Sequence, residues 1–371
     1  MPKHSTFMAA GALSASLLLA VPGVAAAHPR PAPDPVLKSS ALAAPFNLEV
    51  GRHSVFVADG GLNLVGRLKS DGTIATLAAD QPGASGIALS ANRRRMAFTT
   101  TVSNPETFEN TASGLNIWSE RGKRIYADTT AFETKWNPDK KYHYGVNNPS
   151  KCVSDALEAI HFPVSYSGHV DSHAYSVAAM PGGWVVADAG ANALWLVTNG
   201  GRIKTLAVLP PQPFTFDAAS VAALGLPNCF LGVTYAFEAV PTDVEVGRDG
   251  FLYVTTLPGG PESPALGARG KVYRVNPWTG RAKVVASGFL GATNLALGHN
   301  GSMYVAELFG GVITKVNNGR RSTFATLPGV VAVETAPDGS LWAGTLGSEA
   351  GPGTIVKFEN GRFHREGTVR T

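Results

Sequence analysis

Apolar and polar residues alternate along this chain in short runs that are separated by glycine-containing turns, a pattern typical of β-strands joined by hairpins. The stretch PTDVEVGRDGFLYVTTLPGG, residues 241–260, recurs without a gap as ATNLALGHNGSMYVAELFGG, residues 292–311. Asp-Gly or Asn-Gly stands at the turn of each copy and supplies the positive φ of a tight hairpin. A third copy, VVAVETAPDGSLWAGTLG, carries Asp-Gly at the same place. Such repetition indicates a repeat fold.

Six hairpins of this kind can be placed along the chain, and each is followed by a second pair of short strands around a polar turn. They begin near Asn47, Gly86, Ser176, Asp243, Asn294 and Ala332. Six units of four strands predict an all-β fold, a six-bladed β-propeller with four-stranded blades. A β-sandwich is the alternative, but it does not explain a recurring four-strand unit. The second unit is the weakest, because its turn SANRRRM lacks glycine.

The long connections fall at particular places in the repeat. If the strands of each unit are named A to D, the A–B and C–D turns are all tight, whereas the long segments join B to C or D to the next A. Two large insertions, residues 134–168 and 211–239, are D–A connections. Strands of an up-and-down blade alternate in direction, so all these connections open on one face. We call it the decorated face and expect it to carry function, as loops on a rigid scaffold usually do.

The N-terminus has a basic start at Lys3, a short apolar stretch and small residues before a cleavage point. This order predicts a secretory signal peptide, residues 1–27, and hence a secreted protein with no membrane span after cleavage. A retained anchor is the alternative, although Ser and Pro interrupt a stretch that is already short for a span. We predict a Pro-rich leader over residues 28–42 and one propeller domain over residues 43–371.

Composition adds limits on partners and on redox state. The 371 residues are 44% hydrophobic and 16% charged, which suits one large core. The net charge of +4 is modest and the basic residues are scattered, so the sequence does not indicate a nucleic-acid partner. Export to an oxidising compartment predicts a disulfide between Cys152 and Cys229, the only cysteines, which would join the two large insertions.

Several segments resemble a known family of exported proteins. They are DSHAYSV, VADAGANALW, YAFEAVPTDVEVG, LPGGPESPALGARGKVYRV and GATNLAL with MYVAELFGG. They are similar to the ScyD/ScyE family, most closely over residues 171–311. The resemblance implies a secreted, NHL-like six-bladed propeller. It implies no catalytic motif.

The residue just before each innermost strand should face the mouth of the central channel. Asn47, Asp243 and Asn294 stand at such positions, and their oxygen atoms suit a hard divalent cation such as Ca²⁺. Gluconolactonase-like propellers are similar in using Asn and acidic ligands there. The other three units lack an acid at this position, so the ligand set is incomplete. Alternatively, Asn and Asp cap the strand starts in turns.

A second candidate site is the segment GHVDSHAY, which places His169, Asp171 and His173 at alternate positions. If it is extended, all three side chains point to one side and could bind a ligand or a metal. His143 and His161 lie in the same insertion. The alternative is a hydrogen-bonded loop in which Asp171 orients one histidine.

A third candidate is the acid that ends strand B in three units, namely Asp59, Asp188 and Glu307. We expect Asp188 and Glu307 to contribute to ligand binding on the decorated face. Ordinary turn chemistry is the alternative. The sequence contains no Gly-x-Ser-x-Gly, Walker or His-Glu-x-x-His motif.

Two classes of function remain. The first is a binding or scaffold propeller whose decorated face holds a small molecule, a glycan or a protein. The second is a metal-dependent hydrolase of the lactonase or esterase kind, with Asp243 as the base. The incomplete set of axial ligands favours the first.

Overall fold

The computed structural model of the chain describes residues 34–261 and 263–359. The predicted signal peptide therefore lies outside the described residues, as do most of the leader and the polar turn predicted after Glu359. The described residues contain seven four-stranded antiparallel sheets. Six of them are blades, and the seventh is built by the two insertions.

The described residues begin with one strand that pairs with the end of the chain, and two blades follow. The first strand is β1 (Val36–Leu42). Blade 1 consists of β2 (Pro45–Val50), β3 (Val55–Asp59), β4 (Leu64–Leu68) and β5 (Ile74–Ala78). Blade 2 consists of β6 (Ile87–Leu89), β7 (Arg95–Ser103), β8 (Asn110–Ser119) and β9 (Arg124–Asp128).

The two insertions flank blade 3. The first contains α1 (Thr129–Trp136), a 3₁₀ turn (Pro138–Lys141), β10 (His143–Val146), α2 (Lys151–Ala159) and β11 (Ser165–Ser167). Blade 3 consists of β12 (Ala174–Met180), β13 (Gly183–Asp188), β14 (Ala193–Thr198) and β15 (Ile203–Val208). The second insertion contains β16 (Gln212–Thr215), α3 (Ala218–Ala223), a 3₁₀ turn (Asn228–Phe230) and β17 (Thr234–Phe237).

The last three blades follow without large insertions. Blade 4 consists of β18 (Pro241–Val246), β19 (Leu252–Thr256), a 3₁₀ turn (Pro264–Leu266), β20 (Gly270–Val275) and β21 (Ala282–Phe289). Blade 5 consists of β22 (Ala292–Leu297), β23 (Met303–Glu307), β24 (Val312–Asn317) and β25 (Arg320–Thr326). Blade 6 contains β26 (Val330–Thr335), β27 (Leu341–Thr345) and β28 (Gly353–Phe358).

The innermost strands β2, β6, β12, β18, β22 and β26 contact one another in a closed ring, which confirms the six-bladed propeller. A separate buried apolar cluster lies between each pair of neighbouring blades. The cluster between blades 2 and 3 is built around Trp184 and Trp195, both almost fully buried. Burial of large apolar side chains, worth about 1.5–3 kcal/mol each, holds the blades face to face.

The tight A–B turns have the backbone conformation that the repeats predict. Gly250, Gly301 and Gly339 have φ values of 75°, 79° and 83°. In the weakest unit, which lacks a turn glycine, Arg93 adopts the left-handed conformation with φ 55°. Blade 2 therefore forms with a non-glycine residue in that position.

Blade 6 is completed from the other end of the chain. Its outer strand is β1, which pairs antiparallel with β28. The sequence predicts this strand after Glu359 and assigns Val36–Leu42 to the leader. The structure instead places the start of the propeller at Val36, directly after the last proline of the Pro-rich segment. The local pattern does not show this pairing, because its partner is at the opposite end of the chain.

The two insertions form a small folded unit, although the sequence analysis treats them as loops. Their strands make one sheet in the order β11, β10, β17, β16. Phe216, Phe230, Tyr235 and Phe237 form the centre of its own apolar cluster. The predicted disulfide is confirmed, since Cys152 in α2 is bonded to Cys229, with 6.4 Å between their Cα atoms. None of the helices in the described residues is long and apolar enough to cross a membrane.

We predict that β1, the outer strand of blade 6, contributes strongly to the stability of the propeller. A chain that begins at Ala43 should lose at least about 3 kcal/mol of unfolding free energy relative to one that begins at Asp34. The loss combines the burial of Leu42 with the ladder to β28. Urea unfolding of the two chains measures it, and equal midpoints would contradict this role for β1.

Candidate functional site

The predicted axial residues lie on the innermost strands, where each one bonds to the next blade. Their side-chain oxygens accept from backbone N–H groups across the blade boundary: Asn47 from Ile87 (3.3 Å), Asp243 from Leu295 (2.8 Å) and Asn294 from Val333 (2.7 Å). All three side chains are buried. These oxygens therefore join neighbouring blades in the described structure. A metal bound at the axis would have to share them with the backbone N–H groups.

Asp243 has both carboxylate oxygens occupied. Oδ2 accepts from Leu295, and Oδ1 accepts from the Ser176 hydroxyl at 2.5 Å. Burial raises the pKa of Asp243 to about 6, although both hydrogen bonds lower it. Gly86 occupies the equivalent position of blade 2, where a Cβ atom would lie 2.7 Å from the Ser176 Cα. The close approach of two strands thus explains why that position lacks a side chain.

A ring of glutamates lies two positions further along three of these strands, and the sequence analysis does not single it out. Glu49, Glu245 and Glu334 are half-buried. Burial raises the pKa of Glu245 well above its usual range, and the carboxylates of Glu334, Asp243 and Glu49 raise it further. Glu245 and Glu334 lie within hydrogen-bonding distance of each other. The spacing of two residues from the axial positions is the signal that could have identified them.

The three residues of GHVDSHAY do not share one side. The segment is not a strand, because β11 ends at Ser167 and β12 begins at Ala174. His169 stacks on Tyr166 with ring centroids 5.0 Å apart, whereas the Asp171 carboxylate accepts from the Asn110 amide at 2.8 Å.

His173 lies next to Asp188. Its backbone N–H donates to the Asp188 carboxylate at 2.7 Å, and burial lowers the pKa of its ring. The carboxylates of Asp188 and Asp171 raise this pKa, which opposes the effect of burial. Across the described residues, no three His, Cys, Asp or Glu side chains are arranged to hold a metal ion.

The acids that end strand B bind the backbone that enters their own blade. The donors are the N–H groups of Ala43, Ala44 and Leu62 for Asp59, of His173 and Ala191 for Asp188, and of Leu290 for Glu307. Asp188 also accepts from the Ser172 hydroxyl and the Trp195 indole. These contacts match the turn alternative, and the role of Asp188 and Glu307 in ligand binding stays a prediction.

A cavity of about 160 Å³ opens on the decorated face between blades 4 and 5. Its walls come from the long B–C connection of blade 4, from the B–C connection of blade 5 at Phe309, and from D–A connections at Val240 and Gly291. Glycines contribute much of the lining, which brings backbone groups close to the cavity. We call it the Arg269 pocket, after its one basic lining residue. Arg269 is not among the site residues predicted from the sequence, which are acids, asparagines and histidines.

Arg269 is a partly buried cation without an acidic partner among the described residues. One terminal nitrogen, Nη2, donates to the carbonyls of Pro258 and Gly259 at 3.2 and 3.0 Å, whereas Nη1 is buried without a partner. The guanidinium lies over the Phe237 ring, 4.6 Å from its centroid. Burial lowers the pKa of Arg269 to about 10, and burial and the charge of Arg269 lower that of Lys271.

A larger depression of about 500 Å³ lies on the opposite face, at the A–B and C–D turns of blade 2. Its lining includes Arg94, Glu120 and Lys123. Arg94 pairs with Glu120 at 3.4 Å, and both side chains are exposed. The charges here are solvated and partly paired, so this depression lacks the buried unpaired group of the Arg269 pocket.

Comparison with known proteins places the fold. No family model matches the chain, and no curated protein matches it. A glucose dehydrogenase structure is 12% identical with a TM-score of 0.54, over 88% of this chain and 100% of that one. The PQQ-bound aldose sugar dehydrogenase from Streptomyces coelicolor is 13% identical with a TM-score of 0.50, over 86% and 95%. Virginiamycin B lyase from Staphylococcus aureus is 14% identical with a TM-score of 0.46, over 88% and 87%.

At these identities the likeness concerns the fold alone, and the chain has a β-propeller fold. A likeness of the fold alone does not select an activity for this chain. These structures support a β-propeller fold and do not test the resemblance to the ScyD/ScyE family.

We predict that the channel glutamates make the protein less stable as pH rises. The pKa values of Glu245 and Glu334 are raised in the folded state, so the folded chain holds more protons than the unfolded chain above pH 4.5. This contribution is fully present below pH 4.5 and is lost as pH rises through the raised values. Glu334→Gln should therefore flatten the fall in unfolding free energy between pH 5 and 8, as measured by urea unfolding.

Glu349→Gln, at an exposed position, is the matched control and should leave the slope unchanged. A Glu334→Gln protein with the wild-type slope would contradict the prediction.

Proposed function

We propose that this protein is an exported, ScyD/ScyE-like propeller that binds a small anionic ligand in the Arg269 pocket of its decorated face. The chemical class of the ligand is a carboxylate or a phosphate. The protein acts outside the cytoplasm as a binding scaffold, and the ligand belongs to a small molecule, a glycan or a partner protein.

The observation that carries the proposal is the buried, unpaired Nη1 atom of Arg269. A partly buried guanidinium with no acidic partner among the described residues is costly, because burial removes hydration without supplying an opposite charge. A carboxylate or phosphate can accept from a guanidinium through two oxygens and would satisfy the free nitrogen. Lys271 adds a second positive charge close by.

Export is supported by two separate features. The disulfide between Cys152 and Cys229 is of a kind that persists in oxidising compartments. The N-terminal sequence has the order of a secretory signal.

The hydrolase alternative receives less support from the axial contacts. A general base needs a free carboxylate oxygen within reach of the substrate. Asp243 has one oxygen on the Ser176 hydroxyl and the other on the Leu295 N–H, and it is fully buried. This carboxylate joins the innermost strands of blades 3, 4 and 5.

We predict that anions stabilise the wild-type protein through Arg269. The probes are inorganic phosphate, sulfate and citrate, tested by thermal unfolding and then by calorimetric titration. A bound anion at a hundred times its Kd should add about 2.7 kcal/mol to the unfolding free energy. Arg269→Gln should abolish the shift, and Arg269→Lys should weaken it because lysine lacks the planar pair of donors.

Lys123→Gln, in the opposite-face depression, is the matched control and should keep the full response. Equal loss of the response in Lys123→Gln and Arg269→Gln would indicate general charge screening and would sink the assignment to the pocket.

The hydrolase alternative has a test of its own. We expect a panel of lactones and esters, assayed with Ca²⁺, Mn²⁺ or Zn²⁺, to give no metal-dependent turnover. Turnover that disappears in Asp243→Ala while the protein remains folded by circular dichroism would replace the binding proposal with the hydrolase.

A further inference from the structure

Five buried oxygen atoms without hydrogen-bond partners lie between residues 130 and 139, at the end of the first insertion's helix. They are Thr130 Oγ1, Glu133 Oε1 and Oε2, Asn137 Oδ1 and Asp139 Oδ1. Thr130 and Glu133 are three residues apart on one face of α1, and Asn137 is the C-cap residue that follows the helix. Glu133 and Asp139 are fully buried. An orphaned buried carboxylate is rare in proteins, and this segment contains two with free oxygens.

Asn137, Asp139 and Glu133 each contact a second segment, residues 168–171. The Asn137 amide donates to the Gly168 carbonyl at 2.9 Å, and a Cβ atom on Gly168 would lie 2.0 Å from Asp139 Oδ1. The other Asp139 oxygen accepts from the Asn192 amide at 3.1 Å, which ties the group to blade 3. The Asp171 backbone N–H approaches Glu133 from the same segment as Gly168.

The charge around this group is negative and uncompensated. Asp139, Asp171 and Asp188 all act on Glu133, and no ion pair to Lys or Arg is formed by these residues in the described structure. Burial, together with the negative charges of Asp188 and Asp139, raises the pKa of Glu133 to about 9. His169 lies near Asp139.

We propose that Glu133 and Asp139, with the side-chain oxygens of Asn137 and Thr130, bind a Ca²⁺ ion between α1 and blade 3. The donors are all oxygens, and two of them are carboxylates, which is the ligand chemistry of Ca²⁺. Ca²⁺ accepts the irregular geometry of a helix face, whereas Mg²⁺ demands a near-ideal octahedron. The site is distinct from the axial positions Asn47, Asp243 and Asn294, and it does not depend on the Arg269 pocket.

Such an ion would fasten the first insertion to the propeller. The ligands come from α1 and the 3₁₀ turn after it, and Asp139 is bonded to Asn192 in the turn between β13 and β14. Asn137 holds the segment that leads to His169 and Asp171. The ion therefore organises the decorated face on the side of blade 3, where it has a structural role.

The experiment uses the mature chain after treatment with EGTA and gel filtration. Native mass spectrometry should show one Ca²⁺ per chain on titration, and thermal unfolding should shift upward with Ca²⁺ more than with Mg²⁺. Tb³⁺ provides a direct optical readout, because the Tyr144 hydroxyl lies 3.2 Å from Asp139 Oδ2 and can sensitise its emission. Glu133→Gln and Asp139→Asn should each weaken Ca²⁺ binding at least about tenfold.

Glu245→Gln is the matched control, since it removes a carboxyl from the channel and should leave Ca²⁺ affinity unchanged. Loss of binding in Glu245→Gln, with retention in Glu133→Gln, would overturn the proposal in favour of an axial ion. A wild-type protein that binds no Ca²⁺ or Tb³⁺ would overturn it in favour of a protonated Glu133. If the two ligand variants fail to fold, Thr130→Val gives the milder test, and an unchanged affinity there together with unsensitised Tb³⁺ counts against the site.

Discussion

Closure of the ring of six innermost strands depends on side chains that accept hydrogen bonds from the next blade. Asn47, Asp243 and Asn294 each bind a backbone N–H across a blade boundary. A buried N–H left without an acceptor costs about 1–3 kcal/mol, so these three side chains stabilise the fold by accepting from it. Between blades 2 and 3 the strands approach so closely that Gly86 takes the place of a polar residue.

Polar side chains that already bond to the backbone of the blades have less capacity to bind a ligand. The acids that end strand B are bonded to the backbone at the entrance of their own blades, as Asp59 is to Ala43 and Ala44. Among the described residues, the charged side chains with unpaired buried atoms lie on the connections instead: Arg269 in the long loop of blade 4, and Glu133 and Asp139 in α1 and the 3₁₀ turn after it. The propeller thus supplies a rigid support, and its decorated face supplies groups able to meet a ligand.

The sequence predicts the parts of the structure that local patterns encode. Hairpins with glycine turns repeat at a recognisable interval, and the six blades follow from them. The outer strand β1 escapes this reasoning, because it pairs with β28 from the other end of the chain. The sheet of the two insertions escapes it for the same reason, since β10 and β17 pair across blade 3.

Candidate site residues were harder to predict, because residue type does not reveal whether a group is already paired. Asp188 is of a residue type that often binds ligands. Its carboxylate nevertheless accepts four hydrogen bonds within its own blade and from the adjoining segment. Arg269 follows a glycine-rich loop with no motif around it, and its free nitrogen becomes visible only when its surroundings are known.

The surroundings of Arg269 show that its lack of an acidic partner does not come from the absence of acids nearby. Phe237 places its ring beside the guanidinium, and the next residue is Glu238. The Glu238 carboxylate accepts from the Tyr166 hydroxyl at 3.1 Å, and burial raises its pKa to about 7, whereas an arginine partner would lower it. The insertion sheet therefore directs the aromatic ring toward Arg269 and the neighbouring carboxylate toward Tyr166. Among the described residues the Arg269 guanidinium therefore has no acidic partner, and an anion from outside would supply one.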